Sequence, residues 1–185
     1  MIIHISGAPG SGKTTIGLKL KKYYKTKVIV KDLDDLFAEF IKLNAKKFSG
    51  KKYQCFINDF INKHNKKPII FVGLNSEHLT NKFYKLNSDY NFYINLLVDI
   101  NLKRHFLREI DGWLNWMQNR NKNILFNQLL DNENEVINGL TNSFTRTLKI
   151  SEQKKFIMSF DAHYITENYQ FLSSTQIFNK IISLI

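Results

Sequence analysis

Apolar and polar positions along the chain follow two alternating patterns. Short apolar-rich runs that are typical of buried strands occur at residues 2–6, 28–30, 69–72, 92–98 and 169–172. Between these runs, apolar residues recur every three or four positions, as on one face of a helix. We therefore predict helices at about 13–24, from 32 or 34, at 53–64, from about 101, and from 173 or 174 to 184.

The order of these elements predicts the fold class. Strands that alternate with helices are typical of α/β proteins in which helices cover both faces of a parallel sheet. We predict a single three-layer α/β/α domain over residues 1–185, with a five-stranded parallel sheet. Polar segments that follow the strands should meet at one edge of the sheet, where such folds bind ligands. The long helical stretch from about 101 should break near Gly112 and near 121–123.

A glycine-rich segment, SGAPGSGKTT, joins the first strand to the first helix. It matches the phosphate-binding pattern GxxxxGK[ST] in full, between a strand and a helix. Its glycines let backbone N–H groups turn toward a phosphate chain, and the helix N-terminus adds partial positive charge. We expect Lys13 to reach the β- and γ-phosphates of ATP, and the Thr14 hydroxyl to bind Mg²⁺. The residues predicted to bind the nucleotide are Gly7, Ala8, Pro9, Gly10, Ser11, Gly12, Lys13, Thr14 and Thr15.

The order of three motifs resembles a group of known enzymes. The motifs are GAPGSGKT, the acidic KDLDD after the second strand, and the arginines of LKRHFLRE after the fourth strand. Together they are similar to P-loop kinases of the nucleoside, nucleotide and shikimate kinase type, and more distantly to polynucleotide 5′-hydroxyl kinases. With KPIIFVGLN and SDYNFYI, the whole chain also resembles uncharacterised P-loop proteins of large DNA viruses.

The resemblance implies a P-loop NTPase fold and a phosphotransferase activity. The expected reaction is transfer of the γ-phosphoryl group of ATP, with Mg²⁺, to a small acceptor, for which we favour a nucleoside or nucleotide. In such kinases acidic residues after the second strand orient the acceptor hydroxyl, take its proton, or hold Mg²⁺ through water. Asp32, Asp34 and Asp35 lie there, and Asp34 is favoured over Asp32 as the catalytic and metal-binding residue. The alternative is that these aspartates only cap a helix.

The third strand lacks a feature that many P-loop proteins have. Its sequence PIIFVGLN places Gly73 where many of them carry an aspartate for Mg²⁺, and shikimate-type kinases also have glycine there. We expect Gly73 to let a substrate approach the sheet edge and Asn75 to bind it or to form a turn. ATPase motors need the missing acid, and a GTPase would need an NKxD motif that the sequence lacks. Both classes are therefore disfavoured.

Two arginines, Arg104 and Arg108, lie four residues apart and so share one helix face. The resemblance implies that they close over the phosphates as catalytic residues, within a lid of about residues 104–150; surface ion pairing is the alternative. It also implies that helices at about 37–67 bind the acceptor. Aromatic residues in these two regions could stack on a base, although core packing is favoured for all of them: Tyr53, Phe56, Phe60, Trp113 and Trp116.

The net charge of +11 raises the question of a nucleic-acid partner. Lysine supplies most of it, the lysines are spread along the chain, and lysine, asparagine and isoleucine are the residues that an AT-rich genome favours. Nucleic acid is thus a possible but not a favoured partner. No apolar segment is long enough to cross a membrane, and Cys55 is the single cysteine, so we expect a cytoplasmic protein, in the host cytoplasm if viral. A non-catalytic ATP-binding protein remains the alternative to an enzyme.

Overall fold

The computed structural model describes residues 1–43, 49–73 and 86–185. In these ranges the chain forms five strands and seven helices. The strands are β1 (Ile2–Ser6), β2 (Ile29–Asp32), β3 (Ile69–Val72), β4 (Tyr90–Ile94) and β5 (Gln170–Leu172). The helices are α1 (Lys13–Tyr24), α2 (Leu33–Leu43), α3 (Gly50–Lys63), α4 (Val98–Asn119), α5 (Lys122–Leu148), α6 (Ile150–Thr166) and α7 (Ser174–Leu184). Within the described ranges, none of these helices could span a membrane.

All five strands run parallel, in the spatial order β2-β3-β1-β4-β5. This confirms the predicted α/β class and the five-stranded parallel sheet. The central strand is β1, in which Ile3 pairs with Ile70 of β3 and Tyr90 of β4. The chain leaves β1 toward β2 on one side and leaves β4 toward β5 on the other. Connections therefore diverge between β1 and β4, the kind of point at which parallel sheets bind ligands beyond their carboxyl ends.

The chain divides into two compact units. The first unit, Met1–Leu96 and Phe160–Ile185, contains the whole sheet. The second unit, Leu97–Ser159, contains α4, α5 and the first part of α6. The predicted lid, at about 104–150, falls within the second unit.

One face of the sheet is covered by α1 and α7 in the first unit. Gly17 lets α1 approach closely, because a Cβ there would lie 3.1 Å from both Cγ atoms of Val72. At the start of α7, Ser173 and Gln176 form a capping box, in which the Ser173 hydroxyl accepts from the Gln176 N–H. The buried residues of this core are Ile3, Ile5, Ile16, Leu20, Tyr24, Val28, Ile70, Val72, Phe92, Ile94, Ile177 and Ile181.

The opposite face of the sheet is covered by α2 and α3, which makes the first unit compatible with a three-layer α/β/α arrangement. Tyr53 is only 3% exposed, and its ring centroid lies 5.2 Å from that of Phe40. Phe56 also packs against Phe40, and Phe60 packs against Phe71 of β3. The aromatic residues of the predicted acceptor region therefore lie in the core, as the favoured interpretation expected.

The long helical stretch differs from its prediction at two places. The break predicted near Gly112 is wrong, because α4 is continuous from Val98 to Asn119. A single exposed glycine costs a helix about 1 kcal/mol, which neighbouring turns can absorb. The break predicted near 121–123 is confirmed: the side chain of Asn121 caps α5 by accepting from two backbone N–H groups. A further break inside α5 lies at Asn132, whose φ of −155° is not helical.

Candidate functional site

The loop between β1 and α1 turns sharply with the help of two glycines. Gly10 has a φ of 87° and Gly12 a φ of 97°, in the left-handed region that favours glycine. The Ser11 N–H donates to the Ala8 carbonyl across 3.0 Å and closes the turn. A Cβ on Gly7 would lie 2.4 Å from the Ser11 hydroxyl, so a side chain there would displace Ser11. Backbone conformation thus favours glycine at positions 10 and 12, and the Ser11 side chain favours it at position 7.

The N-terminus of α1 is suited to an anion. Its N-cap residue is Gly12, which has no side chain to accept from the first N–H groups, and its first turn carries no acidic residue. The first N–H groups of a helix have no partners within that helix, and the helix dipole gives them partial positive charge. A helix N-terminus with these properties can bind an anion such as a phosphate group.

Lys13 bends back onto the loop that precedes it. Its Nζ donates to the carbonyl of Gly7 across 2.6 Å and to that of Ala8 across 3.0 Å. These two hydrogen bonds hold the ammonium group against the start of the glycine loop, at Gly7 and Ala8. Positive charge from the side chain and from the helix N-terminus therefore lies on the same loop.

Thr14 and Asp32 connect this loop to the end of the neighbouring strand β2. Thr14 Oγ1 donates to Asp32 Oδ2 across 3.4 Å, and the Asp34 N–H donates to Asp32 Oδ1 across 3.0 Å. The second contact is an N-cap for α2. The Asp32 carboxylate thus caps α2 with one oxygen and accepts from the Thr14 hydroxyl with the other.

The carboxyl group of Asp32 is half-buried, and this burial raises its pKa above the ordinary value of 3.8. The nearby carboxylates of Asp34 and Asp35 raise it further, whereas the hydrogen bonds from the Asp34 N–H and the Thr14 hydroxyl oppose the shift. Asp34 and Asp35 are themselves exposed, in the first turn of α2. Of the three aspartates, the structure places Asp32 against Thr14.

Gly73 ends β3 beside this pair, with a φ of 135°. A Cβ at this position would lie 3.0 Å from the Leu33 Cβ and 3.4 Å from Asp32 Oδ1. The missing side chain therefore makes room for the start of α2, which is a different role from the predicted substrate approach. Asn75, predicted to bind substrate or form a turn, lies outside the described residues.

Beneath the loop lies a histidine whose partners the sequence did not indicate. His4 is fully buried in β1; its Nε2 lies 3.1 Å from the Gly73 carbonyl and its Nδ1 lies 2.6 Å from the Tyr169 hydroxyl. A carbonyl can only accept, so Nε2 carries the proton and Nδ1 accepts from Tyr169. Burial lowers the pKa of His4 to about 4, and the charge of Lys13 contributes in the same direction. His4 is therefore neutral at pH 7 and packs within the sheet.

A second support for the loop is Tyr93 of β4. Its hydroxyl donates to Asp161 Oδ1 across 2.6 Å, and the backbone N–H of Ala8 interacts with the same hydroxyl. Burial, followed by the hydrogen bond and the charge of Asp161, raises the pKa of Tyr93, so the hydroxyl keeps its proton. The hydrogen bond of Tyr93 thus links β4 to α6 within the first unit.

The two predicted arginines lie on α4 in the second unit. Arg104 is exposed. Arg108 Nη2 donates to His105 Nδ1 across 3.2 Å and lies 3.5 Å from Glu109 Oε1. Contacts of this kind are those of the ion-pairing alternative, while the catalytic role of both arginines stays a prediction.

The polar atoms around the loop fit Mg²⁺ together with the phosphates of a nucleoside triphosphate. Mg²⁺ prefers oxygen ligands and commonly takes one or two carboxylates together with substrate phosphates. Thr14 and Asp32 offer a hydroxyl and a carboxylate of this type. Across the described ranges, no three His, Cys, Asp or Glu side chains are grouped so that they could hold a metal alone. A Mg²⁺ ion bound here would take its remaining ligands from substrate phosphates and water.

Comparison of the chain with protein-family models and with curated proteins finds no match. The assignment of a function therefore depends on the residues and contacts described above.

Proposed function

We propose that this protein is a P-loop kinase that transfers the γ-phosphoryl group of ATP, with Mg²⁺, to a small acceptor of the nucleoside or nucleotide class. The observation that carries the proposal is the contact between Thr14 and Asp32 beside Lys13, on a loop that matches GxxxxGK[ST]. This combination provides N–H donors, an ammonium group and two oxygen ligands at the carboxyl ends of β1 and β2.

Each of these groups has a role in phosphoryl transfer that its chemistry supports. The N–H groups of the loop and of the first turn of α1 bind the donor phosphates, and Lys13 neutralises charge on the β- and γ-phosphates. Thr14 and Asp32 hold Mg²⁺, which neutralises charge on the phosphate oxygens when it is bound. Positioning and charge neutralisation are most of what this reaction requires from a protein.

The acceptor side is assigned to a different aspartate. Because Asp32 uses its two oxygens for the cap and for Thr14, Asp34 is the better candidate to orient the acceptor hydroxyl. Its carboxylate is exposed, two residues from the metal-binding candidate, and free of the capping contact. In this assignment Asp32 takes over the metal role that the sequence had given first to Asp34, and Arg104 and Arg108 are proposed to neutralise transition-state charge.

The experiment that tests the function is a transfer screen with ATP labelled on the γ-phosphate. The acceptors are nucleosides, nucleotides, shikimate-like metabolites and 5′-hydroxyl oligonucleotides, the last included because the net charge is +11. We expect label on a nucleoside or nucleotide, with Mg²⁺ required, and loss of transfer in Lys13→Ala. Lys19→Ala is the matched control, since Lys19 is an exposed lysine of the same helix.

Two results would contradict the proposal. Transfer of label to water alone, under all conditions, would favour a nucleotide-binding protein without kinase activity. Transfer that is unaffected by Lys13→Ala would place the activity outside the glycine loop.

A further inference from the structure

The second unit contains a cavity between α4 and α5 that the proposed function does not use. Its volume is about 680 Å³, within the range of roughly 300–1,000 Å³ that is typical of small-molecule sites. The cavity is lined by both tryptophans of the chain, Trp113 and Trp116, and by polar side chains of α5. All of its lining residues belong to the second unit.

The aromatic wall of the cavity is held in place but remains accessible. The Trp113 ring packs against Phe144, with centroids 4.4 Å apart, so Trp113 shares in the helix packing that the sequence predicted for it. Trp116 is 42% exposed, and the guanidinium of Arg120 lies 4.4 Å from its ring centroid. Arg120 is in turn fixed by a 2.5 Å hydrogen bond from its Nη2 to Gln128 Oε1. Indole rings and a guanidinium plane are the surfaces on which planar rings stack.

The polar wall is formed by the break in α5. Asn132 leaves the helical conformation and caps the second half of α5, where its Oδ1 accepts from the Glu135 N–H across 3.3 Å. Its Nδ2 donates to Glu135 Oε2 across 2.7 Å, which fixes that carboxylate. Asp131, the residue before the break, contributes a second carboxylate to the lining. The break therefore sets acceptor oxygens beside the aromatic wall.

We propose that this cavity binds a nucleobase. A flat ring matches the stacking surfaces of Trp116 and Arg120, and the carboxylates of Asp131 and Glu135 can accept from the amino and ring N–H groups of a base. The guanidinium of Arg120 already lies over one face of the Trp116 ring, so a base would stack on the outer face of that guanidinium, whereas the positive charge of Arg120 would repel an organic cation there. A phosphate group fits less well too, since two carboxylates outnumber the single arginine among the lining residues. The ligand is thus recognised through its base.

The test uses the intrinsic fluorescence of the intact chain. Because the chain has only two tryptophans and both line the cavity, their emission reports on this site. Free nucleosides are titrated, with ribose 5-phosphate as a ligand without a base and choline as a cation without one. We expect saturable quenching by nucleosides alone. Equal quenching by ribose 5-phosphate or choline, or no saturable response to any nucleoside, would overturn the proposal.

Variants locate the site within the chain. Trp116→Leu should weaken nucleoside binding about five- to a hundredfold, the range expected for the loss of one stacking contact, with Trp113 remaining as reporter. Asp131→Asn should weaken binding of bases that carry an amino group more than that of uridine. Glu133→Gln is the matched control, as it removes an exposed carboxylate from the same helix outside the cavity. It should leave binding unchanged.

Lys13→Ala separates this proposal from the proposed function. Nucleoside binding that persists in Lys13→Ala supports a base site in the second unit, whether or not the chain proves to be a kinase. Binding that disappears in Lys13→Ala, in a protein with an unchanged circular dichroism spectrum, would place the nucleoside at the glycine loop and overturn the inference.

Discussion

Thr14 Oγ1, in the first turn of α1, lies 3.4 Å from Asp32 Oδ2, at the end of β2. Adjacent ligands of an octahedral Mg²⁺ are about 3 Å apart, given metal–oxygen distances of about 2.0–2.1 Å. The two oxygens are therefore close to the spacing that a shared metal ion requires. The pair links the glycine loop to the acidic segment KDLDD and distinguishes Asp32 from its two neighbours.

Neutral substitutions of the aspartates should have different effects on phosphoryl transfer. Asp32→Asn should lower kcat about a hundredfold or more, since it removes the charge of the carboxylate proposed to bind Mg²⁺. Asparagine is as good an N-cap as aspartate, so this variant should keep the start of α2. Asp34→Asn should mainly affect the use of the acceptor, and Asp35→Asn is the control with the same change of charge. Steady-state kinetics measure all three, and equal losses would indicate an effect of net charge rather than of position.

Mg²⁺ binding should depend on pH through Asp32. Since burial raises the pKa of this carboxyl above 3.8, protons compete with Mg²⁺ at a higher pH than for an exposed aspartate. The apparent affinity for Mg²⁺ in the presence of ATP should therefore fall as the solution is acidified, and more steeply than in Asp32→Asn. A titration series at several pH values measures this. The same slope in both proteins would show that the titrating group lies elsewhere.

Stability should depend on pH through His4. The pKa of His4 is about 4 in the folded protein and 6.5 as its ordinary value, so the unfolded chain binds the proton more tightly. Neutral His4 therefore stabilises the folded protein fully above pH 6.5. As the pH falls from 6.5 to about 4, the free energy of unfolding should decrease by about 3 kcal/mol. Urea unfolding at several pH values measures the slope. His4→Gln should be less stable at pH 7 and lack this part of the slope, whereas the control His64→Gln should retain it.

Two glycine substitutions should change stability in opposite directions. Gly73→Ala should destabilise the protein by about 1–3 kcal/mol, because alanine is strained at a φ of 135° and its Cβ would press on Leu33. Gly112→Ala should stabilise α4 by about 0.5–1 kcal/mol, since the added Cβ would meet no described atom within 4 Å beyond its chain neighbours and the backbone of its own helix. Thermal unfolding followed by circular dichroism compares the two. A stabilising Gly73→Ala would contradict the backbone geometry at the end of β3.

The sequence predicted the parallel sheet and the boundaries of β1 and α1 well because these features have strong local signals. Buried parallel strands are continuous apolar runs, and the loop motif fixes the end of β1 and the start of α1 within one residue. No local signal in the sequence showed which of Asp32, Asp34 and Asp35 lies beside Thr14. The sequence pattern ended β2 at Val30, whereas Asp32 pairs with Val72 inside the sheet, and this register brings its carboxylate to Thr14.

The contact of His4 and the break at Asn132 were not predicted from the sequence, for different reasons. His4 and Tyr169 are 165 residues apart, and only the folded sheet brings them together. The break at Asn132 could have been found, because Asn132 and Glu135 have the N-cap and N3 spacing of a capping box. At Gly112, by contrast, the helical pattern on both sides outweighs the cost of one glycine, and α4 continues through it.

The most direct test of the site is a calorimetric titration of the intact protein with ATP, with and without Mg²⁺. We expect Mg²⁺ to strengthen ATP binding in the wild-type protein. Thr14→Val and Asp32→Asn should remove most of that enhancement, and Lys13→Ala should weaken ATP binding under both conditions. ATP binding that is equal with and without Mg²⁺, or that is unchanged in Lys13→Ala, would contradict a magnesium–nucleotide site at this loop.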